Sequence, residues 1–175
     1  MRNDLRWLIV AGGNLLFMYV SLQLNHYLAV IPASVFLFGL PIGFSALRLS
    51  LGQGLAASAT TGLFYDTLTP FPLGSALVFF SIAFTVIYAI RSRFHREEAF
   101  SSVIVVLLAN LFLFAAFSGI ATAMTGSPGY PARLITDLLI SQILIAVICG
   151  WFFSFQMTFL ELFGINIEEE QREAR

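Results

Sequence analysis

The sequence predicts an all-α, polytopic membrane protein of about six transmembrane helices. Three observations carry the prediction. Of the 175 residues, 58% are hydrophobic and only 11% are charged, whereas a soluble domain of this size carries about 25% charge. The mean hydropathy is +0.87. The apolar residues, 19 Phe among them, fall in continuous runs, not in the alternating segments of about ten residues that build a membrane β-barrel.

The first run, Trp7 to Leu22, follows a short polar start containing Arg2 and Arg6. A signal peptide shares that form. Here Gln23-Leu24-Asn25-His26-Tyr27 follows in place of a small-x-small cleavage site, so the run reads as an uncleaved first helix. Ala11-Gly12-Gly13-Asn14 gives it a small, slightly polar patch suited to helix contact. The second run spans Leu28 to Leu47. Pro32 lies near its start, Pro41 and Gly43 inside it predict a kink or a break, and Arg48 ends it. The third run, Leu51 to Tyr65, is only about fifteen residues, or about 22 Å of helix, short for a hydrocarbon layer of about 30 Å. Its Gly, Ala, Ser and Thr residues make poor lipid-facing surface but good packing surface. Pro70 and Pro72 then break the chain, and Leu73-Gly74 opens a fourth run that ends at Ile90. The fifth run is Phe100 to Met124, with Asn110 near its middle. The turn residues Thr125 to Pro131 lead into the sixth, Leu134 to about Phe163.

Six crossings place both termini on one side. Eight of the nine basic residues, all arginines, then share that side: Arg2, Arg6, Arg48, Arg91, Arg93, Arg96, Arg172 and Arg175. Only Arg133 falls opposite. By the positive-inside rule both termini are cytoplasmic, with Arg48, Arg91, Arg93 and Arg96 as topology determinants beside anionic lipid. Residues 1–164 form one transmembrane helical domain, and 165–175 form an acidic cytoplasmic tail. The loops are too short for an extramembrane domain.

The net charge of −1 says nothing about nucleic acid; the basic residues are not massed on one patch, and no nucleic-acid partner is expected. No Walker motif, His-Glu-x-x-His or metal-ligand spacing is present. His26 and His95 lie far apart in expected loops, and the single Cys149 sits in an apolar run as a packing residue. The expectation is a protein with no cofactor, no metal and no enzymatic activity.

The least ordinary membrane chemistry lies between Gly52 and Ala76. Gly54, Ser58, Gly62 and Asp66 recur at steps of four, a groove without bulk that ends in a carboxylate. Such a groove lets another helix come close. Asp66 near the C-terminus of its helix meets the negative end of the dipole and needs compensation. Two readings stand side by side. Asp66 accepts the N–H groups of Thr67 to Thr69 and caps the turn before Pro70, or it contacts a partner, ligand or cation. Asp137 and Arg133 are placed to pair at the start of the sixth helix. Asn14, Asn110 and Gln142 are expected to make interhelical hydrogen bonds or to line a pocket.

The pattern Gly62-Leu63-x-x-Asp66-x-Leu68-x-x-x-Pro72-Leu73-Gly74 resembles the bacterial rod shape-determining protein MreD family. The likeness extends over the whole chain in length and helix count, with its motif content between Arg48 and Ala76. The resemblance implies a non-enzymatic inner-membrane scaffold of the cell-wall elongation complex. Such a scaffold binds the single-pass protein MreC and, through it, connects to MreB filaments and to the peptidoglycan glycosyltransferase and transpeptidase. Gly54, Ser58, Gly62, Asp66, Pro72 and Gly74 are then the partner or helix-contact candidates. MreD-like proteins are also similar in fold to the S-components of energy-coupling-factor vitamin transporters. The alternative is therefore a solute-binding subunit, with an outward pocket near Tyr65, Asp66, Tyr130, Arg133 and Asp137.

Overall fold

The structure, a computed structural model, describes residues 5–28, 30, 33–91, 99–125 and 131–165. Among them are six helices and no strand: α1 (Arg6–Leu28), α2 (Gly39–Arg48), α3 (Leu51–Leu68), α4 (Ser75–Ile90), α5 (Ala99–Thr125) and α6 (Pro131–Leu162). Three of them, α1, α5 and α6, are long and apolar enough to cross a membrane. Their outward side chains are themselves apolar: Leu139, Ile143, Val147 and Trp151 are all exposed on α6. A contiguous surface of this kind suits hydrocarbon and not water. The expected acidic tail beyond Ile165, with Arg2, Pro32, Arg93, His95, Arg96, Tyr130, Arg172 and Arg175, lies outside the described residues.

Helix ends follow local chemistry. α1 continues past Leu22 to Leu28, so His26 is helical and not in a loop. Gly74, with φ of 93°, occupies the left-handed region and precedes the first residue of α4. The short α3 is set among neighbours: Gly54, Ala57, Ser58, Thr61, Gly62, Tyr65 and Asp66 are all buried.

The second run departs most from expectation. Only Gly39–Arg48 is helical; residues 33–37 belong to no regular element, and their N–H groups turn alternately to α6 and α1 as in an extended chain. The break lies before Pro41, not at it. Pro41 has no N–H with which to bond the Leu37 carbonyl, and its ring would crowd that carbonyl in a continuous helix. The Leu37 oxygen accepts the Leu40 N–H instead, at 3.2 Å, and Pro41 sits harmlessly in the first turn of α2. Gly43 does not kink the helix. A Cβ there, or on Gly39 one turn earlier, would collide with Val106 of α5. The pair forms a small-x-x-x-small contact that seats α2 against α5.

The extended segment is held by side chains. Val35 donates its N–H to Asn25 Oδ1 and accepts Asn25 Nδ2 at its carbonyl, both at 2.7 Å. Ser34 N–H donates to Asp137 Oδ1 at 3.0 Å and Phe36 N–H to Ser141 Oγ at 2.9 Å. Successive N–H groups of an extended chain point to opposite sides, so α6 receives residues 34 and 36 while α1 receives residue 35. Two helices thus supply, through side chains, the partners that neighbouring strands would supply in a sheet. Gly39 N–H completes the series on Asn110 Oδ1 of α5 at 3.1 Å. Buried non-helical backbone is tolerated only when its polar groups are paired in this way.

Two packed clusters meet on α2. One joins Val10, Leu40, Phe44, Ile145 and Phe152 from α1, α2 and α6. The other joins Phe38 to Tyr65, Phe80, Phe84 and Phe117 of α3, α4 and α5. In it the ring centroids of Phe38 lie 4.8 Å from Tyr65 and 5.4 Å from Phe117. Tyr65 is therefore a core residue.

Candidate functional site

The groove of small residues on α3 is filled by this chain's own α4. A Cβ on Gly62 would stand 2.7 Å from the Ala76 carbonyl oxygen and from Leu77 Cα, and one on Gly54 would strike the Phe84 ring. Ser58 is fully buried beside them. Asp66 closes the groove, but not by capping Thr67 to Thr69. Its oxygens accept Gly74 N–H at 3.0 Å, Ala76 N–H at 2.9 Å, Leu77 N–H at 3.2 Å and Ser75 Oγ–H at 3.1 Å. The expected compensation exists and comes from the next helix: the carboxylate sits on the positive N-terminal end of α4. Thr67 and Thr69 instead donate their hydroxyls back to Phe64 and Tyr65 carbonyls. With four donors engaged and 3% exposure, Asp66 is a structural cap. Pro72 is exposed at the turn and its carbonyl accepts Ser75 N–H at 3.1 Å.

At the opposite end of α4, Arg91 donates to the carbonyls of Ala46 and Leu49 at 3.1 and 2.8 Å and lies 3.7 Å from the Tyr88 ring centre. It caps the C-terminus of α2, where a cation complements the dipole. Arg48 is half-buried in the same region.

A second polar centre lies where α1, α2, α3 and α6 converge. The Ser45 and Thr61 hydroxyls donate to their own helices, at Pro41 and Ala57 carbonyls. Each then offers a lone pair, and Asn14 Nδ2 supplies one proton to each, at 3.4 and 3.3 Å. Asn14 Oδ1 accepts Gln156 Nε2 at 2.8 Å. All four residues are fully buried. Gly13 leaves room for the Gln156 amide, which a Cβ at that position would overlap. Asn14 and Asn110 make interhelical hydrogen bonds, and Gln142 Nε2 does so to the Leu107 carbonyl at 3.1 Å. Sequence reasoning missed Gln156, Ser45 and Thr61. The available signal was a second Gln in the long apolar run of α6, near its end, which an antiparallel pairing sets level with Asn14 near the start of α1.

The third feature is a cavity of about 180 Å³ at the end of the bundle where α5 finishes and α6 begins. Ser34, Phe36, Phe71, Phe114, Phe117, Ser118, Thr122 and Asp137 line it. Asp137 is 4% exposed. Its second oxygen pairs with Arg133 Nε at 3.8 Å, the pair that the spacing predicts. The expected companions Tyr65 and Asp66 are not in this cavity, because both face the α3–α4 contact. On the outer flank of α4 and α5, a separate groove of about 240 Å³ is lined by aliphatic and aromatic side chains, including Ile82, Val86, Ile90, Val105, Leu108 and Phe112. Among the described residues no group of three His, Cys, Asp or Glu side chains is placed to hold a metal. In comparisons with known protein families, curated proteins and solved structures, the chain matches none.

Proposed function

We propose that this chain is a non-enzymatic membrane scaffold of the MreD type, acting in the cell-wall elongation machinery of a bacterial inner membrane. It crosses the membrane six times with both termini cytoplasmic. It binds a single-pass, MreC-like protein and links it to MreB-like filaments and to the enzymes that extend peptidoglycan. One observation carries the reading. The residues of the motif that prompted it work as a unit: Gly62 admits α4, Gly74 turns the chain and Asp66 locks the turn, so the motif builds a rigid helical hairpin. That hairpin presents the wholly apolar α4–α5 groove outward, a surface suited to the side chains of a partner helix.

The test is co-purification with an MreC-like partner from membranes. Val86→Trp and Leu108→Trp should reduce recovery of the partner about tenfold, as a contact worth about 1.4 kcal/mol would. Ile143→Trp, on the exposed face of α6, should leave recovery unchanged. Failure of the unmodified chain to retain any such partner would sink the proposal. The second reading, a solute-binding S-component, is favoured by one feature, the cavity beside Asp137. At about 180 Å³ it falls below the range of about 300–1,000 Å³ usual for pockets holding drug-sized ligands, so a vitamin-sized solute does not fit without widening. A vitamin detected by native mass spectrometry of the purified protein would reverse the ranking.

A further inference from the structure

The cavity beside Asp137 joins an aromatic wall to a carboxylate, a composition that the scaffold reading does not use. Its walls are the Phe36, Phe71, Phe114 and Phe117 rings, and its polar groups are the Asp137 carboxylate with the Ser34, Ser118 and Thr122 side chains. A buried carboxylate is costly unless it is well paired. Among the described residues Asp137 has two side-chain partners: the Ser34 N–H at 3.0 Å, and Arg133 Nε at a stretched 3.8 Å. Arg133 is itself more than half exposed. The chain's own cation therefore marks the place for positive charge without filling it.

The chemistry of the lining selects the ligand. An anion is repelled by Asp137. A hard metal ion such as Ca²⁺ takes six to eight oxygen ligands, and a wall of Phe rings cannot supply them. A weakly hydrated organic cation gains from both components, the carboxylate by charge and the aromatic rings by their quadrupoles. A volume of about 180 Å³, below the range of about 300–1,000 Å³ usual for drug-sized ligands, suits a compact headgroup.

We propose that this cavity binds a compact organic ammonium group, paired with Asp137 and enclosed by the Phe36, Phe71, Phe114 and Phe117 rings. The inference goes beyond the scaffold reading and stands if that reading fails. The ammonium belongs either to a free small molecule or to a lipid headgroup, and the chemistry is the same.

The test uses the full chain purified in dodecyl maltoside and titrated calorimetrically with choline, then with 3,3-dimethylbutan-1-ol, its uncharged isostere. Choline should bind at least about tenfold more tightly than the isostere, a ratio that corresponds to about 1.4 kcal/mol. Asp137→Asn keeps an oxygen for the Ser34 N–H but removes the charge, and should erase that preference. Thr122→Trp places bulk at an exposed wall position and should abolish binding without touching the core. In nanodiscs, weaker choline binding in phosphatidylethanolamine than in phosphatidylglycerol would assign the site to a lipid headgroup. Equal binding would assign it to a free cation. Choline and its isostere binding alike, no binding of either, or unaltered choline binding by both folded variants would overturn the proposal.

Discussion

Replacing Asp66 by Ala should destabilise the bundle by about 2–4 kcal/mol. The carboxylate receives three backbone N–H groups and one hydroxyl at the start of α4. Ser75 is half-buried, so its hydroxyl can turn elsewhere; the Ala76 N–H is buried and cannot. Leaving one buried donor unpaired costs about 1–3 kcal/mol. Loss of a helix cap costs about 0.5–2 kcal/mol, and loss of a carboxylate from a partly buried helix N-terminus up to about 2 kcal/mol. These terms describe overlapping parts of one interaction, so the total falls short of their sum. Asp66→Asn retains one carbonyl oxygen and should lose about half as much. The assay is reversible unfolding in mixed micelles of rising dodecyl sulfate fraction, followed by far-ultraviolet circular dichroism. If Asp66→Ala unfolds within about 0.5 kcal/mol of the unmodified chain, as an ordinary surface substitution does, the capping argument is wrong.

Four further outcomes are expected. Gly62→Ala should cost about 1–3 kcal/mol because rigid backbone of α4 blocks its Cβ, while Gly52→Ala, with open space around it, should be neutral or stabilising by up to about 1 kcal/mol; unfolding curves of the pair would decide. A double-mutant cycle on Asn14→Leu and Gln156→Leu should give a coupling of about 0.6–1.7 kcal/mol, the range of interhelical hydrogen bonds in membranes, and a coupling of zero would remove that bond from the account. Arg91→Met should cost about 1–2 kcal/mol by freeing two carbonyls at the end of α2, read from the same unfolding assay. In a Cys149→Ala background, cysteine introduced at Pro72 should react with an impermeant maleimide added outside intact cells and cysteine at Ser50 should not; the reverse pattern would invert the proposed orientation.

The helical class and most helix ends were legible in the sequence because apolar runs, prolines and arginines act locally. Ile90 ends α4 where charge begins, and Pro70 and Pro72 follow the end of α3. The need to compensate Asp66 was also legible, since a carboxylate near a helix C-terminus is unfavourable wherever it occurs. Its partners were not, because Gly74 to Leu77 reach it only after the turn folds back. The same limit hid residues 33–37. Their extended form is set by acceptors on α1 and α6, and one strand's worth of Val and Phe reads equally as buried helix. Gly39 and Gly43 carried a visible spacing of four, but Pro41 between them drew the interpretation toward a break.

The extended segment also constrains the timetable of biogenesis. Ser34 and Phe36 bond to residues 103 and 105 positions later in the chain. At synthesis rates of about 5–20 residues per second, those acceptors emerge roughly 5–20 s after the groups they satisfy. Through that interval the backbone N–H groups of residues 34 and 36 lack the partners they have in the finished bundle. The segment completes its packing only once α6 has been made. The two ends of the chain are thus joined in time as well as in space, and a chain truncated before Asp137 should fail at residues 33–37, far from the cut.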